Sequence, residues 1–153
     1  MNVFGFMLLG VFIILFGLGF CAQFVDSWAR RLVFACLVIA GGFMIIVGFF
    51  PCDPKCIDVT TIGKLHSLTS IPQSIALPLA AIFSATMLGK DDRFGKGWGL
   101  LSFSLGNASM LVGPLMGIEA LYGYVGIIQR FGIGFSLMWM LLVSVKSVLS
   151  GKR

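Results

Sequence analysis

Charged residues divide this chain into apolar runs, each near the length a helix needs to cross a bilayer. Spanning about 30 Å of hydrocarbon takes roughly 20 residues at 1.5 Å each. Residues 3–24 carry no charge; Asp26, Arg30 and Arg31 follow, and 32–50 is apolar again. A polar stretch, 51–70, holds Asp53, Lys55, Asp58, Lys64 and His66. Two more runs lie either side of the charged segment Lys90–Lys96, and Glu119 closes the second of them. The last run is less clean. Only fifteen residues separate Arg130 from Lys146, too few to span, so this helix has to begin near Tyr122 and carry Arg130 inside the outer part of the membrane. The pattern predicts an all-α polytopic bundle in one transmembrane domain, 1–153, with about five helices at 3–24, 32–50, 66–89, 97–118 and 122–148.

Composition agrees. The chain is 58% hydrophobic and 11% charged, against about 25% charged residues in a soluble domain. The net charge of +5 could point to nucleic acid. The basic residues, however, cluster at the ends of apolar runs, and there is no zinc-finger spacing or aromatic-basic interleaving. A nucleic-acid partner is not expected. With five helices, Arg30, Arg31, Lys90, Arg93, Lys96, Lys146, Lys152 and Arg153 fall on one side, and only Lys55, Lys64 and Arg130 on the other. The positive-inside rule makes the first side cytoplasmic. The expected location is the cell (inner) membrane, N-terminus outside and C-terminus in the cytoplasm. Trp28 and Trp98 then fall near the inner interface, and Tyr122 and Tyr124 near the outer one.

Small residues recur along the fourth run. Ser102, Gly106, Ser109, Gly113 and Gly117 form one face on which another helix can pack closely, and Ala81 and Ala85 do the same on the third. Gly106, Gly113 and Gly117 are expected to be helix-packing positions. Pro78 and Pro114 lie inside helices, which a membrane bundle tolerates.

The candidate chemistry sits at the outer end. Pro51 and Pro54 stop the second helix and hold Asp53 just past it. His66, the only histidine, shares a face with Ser70 and Ser74, bordered by Gln73, and such a face should look into the bundle. Arg130 needs an acidic partner at its depth, for which Asp53, Asp58 and Glu119 are candidates. The expected site is a polar cluster of Asp53, His66 and Arg130, with Glu119 at its rim and Ser70 beside it. The competing interpretation is that these residues cap helices and snorkel. A Ser-His-Asp arrangement of Asp53, His66 and Ser67 or Ser70 is conceivable, but no G-x-S-x-G or S-x-x-K marks the serine. One histidine with scattered carboxylates is a poor metal site, so no metal and no cofactor are expected. Cys21 and Cys36 are read as packing residues. Cys52 and Cys56, in an extracytoplasmic loop, either form a disulfide, the favoured reading, or stay as free thiols.

Gly48-x-Phe50-Pro51-x-Asp53 followed by Gly63-x-x-His66 resembles the signature of the prokaryotic membrane family numbered 998 among the domains of unknown function. Gln129-Arg130 and the downstream Trp139 match the pattern of that family's last helix. The resemblance covers nearly the whole chain and implies that Asp53, His66 and Arg130 matter together. It implies no reaction, since the family has no assigned activity. Members usually have six helices, and this chain's start resembles their second. Either a first helix has been lost or the chain begins at an internal start.

The function expected from these features is binding or moving a lipid-like or small amphipathic molecule at the outer polar site, with membrane lipid as partner. The alternatives are a membrane-embedded hydrolase or transferase using His66 and Asp53, and a structural subunit of a membrane complex, as a homo-oligomer or with another membrane protein. A proton-coupled transporter is disfavoured, because no ionisable group lies at the bilayer midplane.

Overall fold

A computed structural model describes residues 3–54 and 58–151, apart from the side chains at 119 and 122. Five helices follow one another: α1 (Val3–Cys21), α2 (Trp28–Gly48), α3 (Thr61–Leu88), α4 (Lys96–Met116) and α5 (Val125–Ser150), with a 3-10 segment, Glu119–Tyr124, leading into α5. All five are long and apolar enough to cross a membrane, and the described residues contain no strand.

The helix ends differ from the charge-based boundaries for identifiable reasons. α2 begins at Trp28, not 32, because Ser27 caps it, its side chain accepting from the Arg30 backbone N–H at 3.2 Å. Arg30 and Arg31 therefore belong to the first turn and share Asp26, at 2.7 and 2.5 Å. α3 begins at Thr61, not 66, because Thr60 caps it in the same way through Gly63 N–H. The polar residues 61–66 lie in its first turns. α5 begins at Val125 after the 3-10 segment, later than 122. A charge count finds where a helix leaves the hydrocarbon, whereas a cap decides where it ends.

Successive helices pack side by side, and α3 also touches α5, though only slightly. α1 and α2 cross where Gly10 faces Gly41; a Cβ on either would lie 2.5–2.6 Å from the other's carbonyl oxygen. Gly17 lies against Leu37 and Gly48 against Phe6 farther along the same seam. α4 meets α3 in the same manner: Gly99 lies on the Ala85 carbonyl, and Gly106 lies on Pro78 and Ile82. Gly113 and Gly117 do not serve as packing positions against any described helix. Both are exposed; a Cβ at Gly113 would meet nothing within 4 Å, and one at Gly117 only its own helix's Pro114 carbonyl. The small-residue face of α4 runs past the end of its contact.

Trp139 of α5 closes the bundle. It is fully buried, donates from Nε1 to Ser102 Oγ on α4 at 3.0 Å, and meets Phe16 and Phe20 of α1 edge-on. Outward lie large apolar side chains, such as Phe4, Leu8, Phe12 and Leu15 on α1 and Leu141 and Val148 on α5. That much exposed hydrocarbon suits lipid as the solvent.

One end of the bundle is stapled. Arg93, after α3, bonds Asp91 through two nitrogens at 2.9 and 2.7 Å and donates to the Gln23 carbonyl after α1 at 3.0 Å. Its guanidinium lies over the Phe24 and Phe94 rings, 5.3 and 5.8 Å from their centres. The Arg93 ion pair holds the Asp91 carboxyl below the usual range.

Candidate functional site

At the opposite end the chain must turn from α2 into α3, and the signature residues make that turn. α2 ends at Gly48, where the Phe49 and Phe50 N–H groups bond the Ile46 and Val47 carbonyls of its last turn, and Pro51 cannot carry it further. His66 bonds the Phe50 carbonyl just past the helix end: its Nδ1 lies 2.6 Å from Phe50 O. A carbonyl can only accept, so Nδ1 carries the proton. Asp53 serves the start of α3. Its Oδ2 accepts from the backbone N–H groups of Val59 and Thr60 at 2.9 and 2.8 Å, and its Oδ1 from the Thr60 hydroxyl at 2.8 Å. The carboxylate lies directly on Gly63, where any Cβ would overlap it. Phe50, Pro51, Asp53, Gly63 and His66 thus form one clamp between two helix ends.

The clamp sets a pH dependence. The Thr60 N–H and hydroxyl, then the Val59 N–H, hold the Asp53 pKa below its ordinary value against some desolvation. A depressed carboxylate stabilises the fold fully above its unfolded pKa, about 3.9. That contribution is lost as pH falls through the lower folded value. Stability measured from pH 5 downward should therefore drop below about pH 4, and Asp53→Asn should flatten that limb. An unchanged acid limb in the variant would contradict the assignment.

The expected site residues do not all meet. His66 and Ser70 line a cavity of about 290 Å³ between α3, α4 and α5. Asp53 does not line it, and its described hydrogen bonds all go to Val59 and Thr60. Arg130 is exposed on another flank of α5, beside Ile127, Phe131 and Met138, and has no ion pair among the described residues. The helical repeat turns it roughly 100° from Gln129, which faces the cavity. Asp58 accepts from the Ser67 hydroxyl at 2.6 Å. The Glu119 side chain and Cys56 lie outside the described residues; Cys52 is disulfide-bonded, while Cys21 and Cys36 are free thiols. Among the described residues no three His, Cys, Asp or Glu side chains gather as a metal site would require.

The cavity wall is mostly apolar, with Ile71, Leu77, Val112, Met116, Val125 and Ile133. Several of its polar groups are satisfied within the protein. Ser70 donates to its own helix, Ser109 to the Gly132 carbonyl at 2.6 Å, and Ser136 to Ser109 at 2.9 Å. Three others carry polar atoms without a described partner. His66 is 8% exposed, and its Nε2, across the ring from the bond to Phe50, forms no hydrogen bond to a described residue. Gln73 is 4% exposed, and neither its amide nor that of Gln129 forms a hydrogen bond to a described residue. Gln73 lies seven residues, about 10 Å, farther along α3 than His66.

The family model described as "Protein of unknown function (DUF998)" matches residues 1–146. The chain belongs to the DUF998 family. No curated protein and no solved structure matches it. This DUF998 protein is a multi-pass integral membrane protein whose described residues form five apolar helices. In it the Phe-Pro-x-Asp and Gly-x-x-His residues build the α2–α3 turn, and His66 alone among them also faces the cavity. Gln73 and Gln129 carry the stronger chemical signal, because they are polar groups in the cavity with no described partner. Their spacing offered a clue: His66, Ser70, Gln73 and Leu77 fall at i, i+4, i+7 and i+11, on one helix face.

Proposed function

We propose that this DUF998 protein binds a lipid-like or small amphipathic molecule in the cavity between α3, α4 and α5. The observation that carries the reading is Gln73, a buried amide facing the cavity without a described partner, in an otherwise largely apolar wall. Such sites combine apolar area for affinity with a few polar groups for orientation. α3 and α5 touch little, and the rim residues Ile71, Ser74 and Gly113 are exposed. An apolar molecule can therefore enter sideways from the bilayer. The basic loops at the stapled end favour placing that end in the cytoplasm of a cell membrane, with the cavity toward the outer side. An acid–base pair of His66 and Asp53 has less support, because the described bonds of both oxygens of Asp53 hold the α2–α3 turn.

Gly113 offers a test. It lines the cavity with open space around it, so Gly113→Phe should fill the site without disturbing a helix contact. Native mass spectrometry of gently extracted protein should show co-purified lipid in the wild type and in Arg130→Ala, and its loss in Gly113→Phe. Equal lipid in wild type and Gly113→Phe would refute the reading.

A further inference from the structure

We infer that the cavity selects a single-chain lipid whose headgroup is uncharged and carries hydroxyl groups, of the monoacylglycerol class. The inference rests on the proposed binding function and specifies its ligand. Among the described residues, no Asp, Glu, Lys or Arg lines the cavity. An anionic headgroup would leave water and find no cation to offset its desolvation. Arg130, the one cation within the apolar part of α5, faces another flank, and Asp58 is engaged by Ser67 at the mouth.

The available groups suit a neutral polyol. With Nδ1 donating to Phe50, neutral His66 offers Nε2 as an acceptor. The Gln73 and Gln129 amides each offer donors and an acceptor. A hydroxyl can give to the imidazole and both give to and accept from the amides. Size limits the ligand as well. About 290 Å³ holds roughly ten water-sized groups at about 30 Å³ each. That accommodates a glycerol head and the first part of one chain, with the remainder passing between α3 and α5 into the bilayer.

Purified full-length protein in detergent is titrated at neutral pH with monooleoylglycerol and with oleoyl lysophosphatidate, which share a chain and differ in headgroup charge, and binding is read by native mass spectrometry. Monooleoylglycerol should bind at least tenfold more tightly. Gln73→Leu should weaken it about tenfold, the loss of one hydrogen bond, without lowering the melting temperature. Gln129→Leu, at a half-exposed position, should act in the same direction and serves if the first variant fails to fold. Equal binding of the two lipids, or preference for the lysophosphatidate, would overturn the neutral-headgroup assignment while leaving lipid binding intact. Failure of both lipids to bind wild-type protein would overturn both.

Discussion

Trp139→Ala should be among the most destabilising single substitutions in this chain. Truncating a buried aromatic costs about 3–5 kcal/mol in water-soluble cores, part transfer and part cavity. In a bilayer the transfer part shrinks, since lipid is as apolar as the core, but lost packing remains. Roughly 2–4 kcal/mol is expected here, scaled down from that range. Three helices would lose their meeting point, because Trp139 touches Phe16 and Phe20 of α1 and donates to Ser102 of α4. Trp139→Phe separates the two contributions. It keeps an aromatic ring beside Phe16 and Phe20 but loses the bond to Ser102 and part of the indole's volume, so it should cost less, about 1–2 kcal/mol. Unfolding in mixed micelles, followed by helical circular dichroism, would measure both. If Trp139→Ala proved as mild as Trp139→Phe, α5 would not close the bundle through this residue.

Gly63→Ala should also be costly although it adds one methyl group. The methyl has to occupy space held by the Asp53 carboxylate. Either Asp53 leaves the N–H groups of Val59 and Thr60, or α3 shifts away from α2. Overpacking of this kind costs about 1–3 kcal/mol. The double variant identifies the cause: once Asp53 is alanine, Gly63→Ala should cost little more, a clear departure from additivity. Additive costs for the two single changes would mean that they do not share one space.

The bilayer-scale organisation was legible because it depends on where charges interrupt apolar runs, and five such runs became five helices. Boundaries shifted where a cap overrode the charge pattern, as Ser27 and Thr60 did. Contacts between helices were only partly readable. Gly106 and Gly113 look alike in sequence, and only the path of α3 separates a packed glycine from one in open space. The candidate site shows the same limit. His66 and Ser70 face the cavity, as their spacing on α3 allows. Arg130 was grouped with them by depth, but depth says nothing of the angle around α5. Asp53 was placed beside the site by two prolines, yet the N–H groups that bind it belong to Val59 and Thr60, six and seven residues later. No local pattern encodes that fold-back. Gln73 is uninformative in the sequence alone, because a glutamine in an apolar helix becomes informative only when its lack of a partner is visible.

The length of α3 has one more consequence. Its 28 residues make a rod of about 42 Å, longer than the roughly 30 Å of hydrocarbon around it. Placing Leu88 at one edge of that layer puts Pro78 near the middle and His66 at the far edge. The cavity, which reaches along α3 from His66 to Pro78, then lies within a single leaflet. Beneath it Ala80, Ala81, Ser84 and Leu88 of α3 are buried in the core. On the lipid-binding proposal, a molecule entering between α3 and α5 would come from one monolayer and return to it, held within a leaflet and not passed across the membrane.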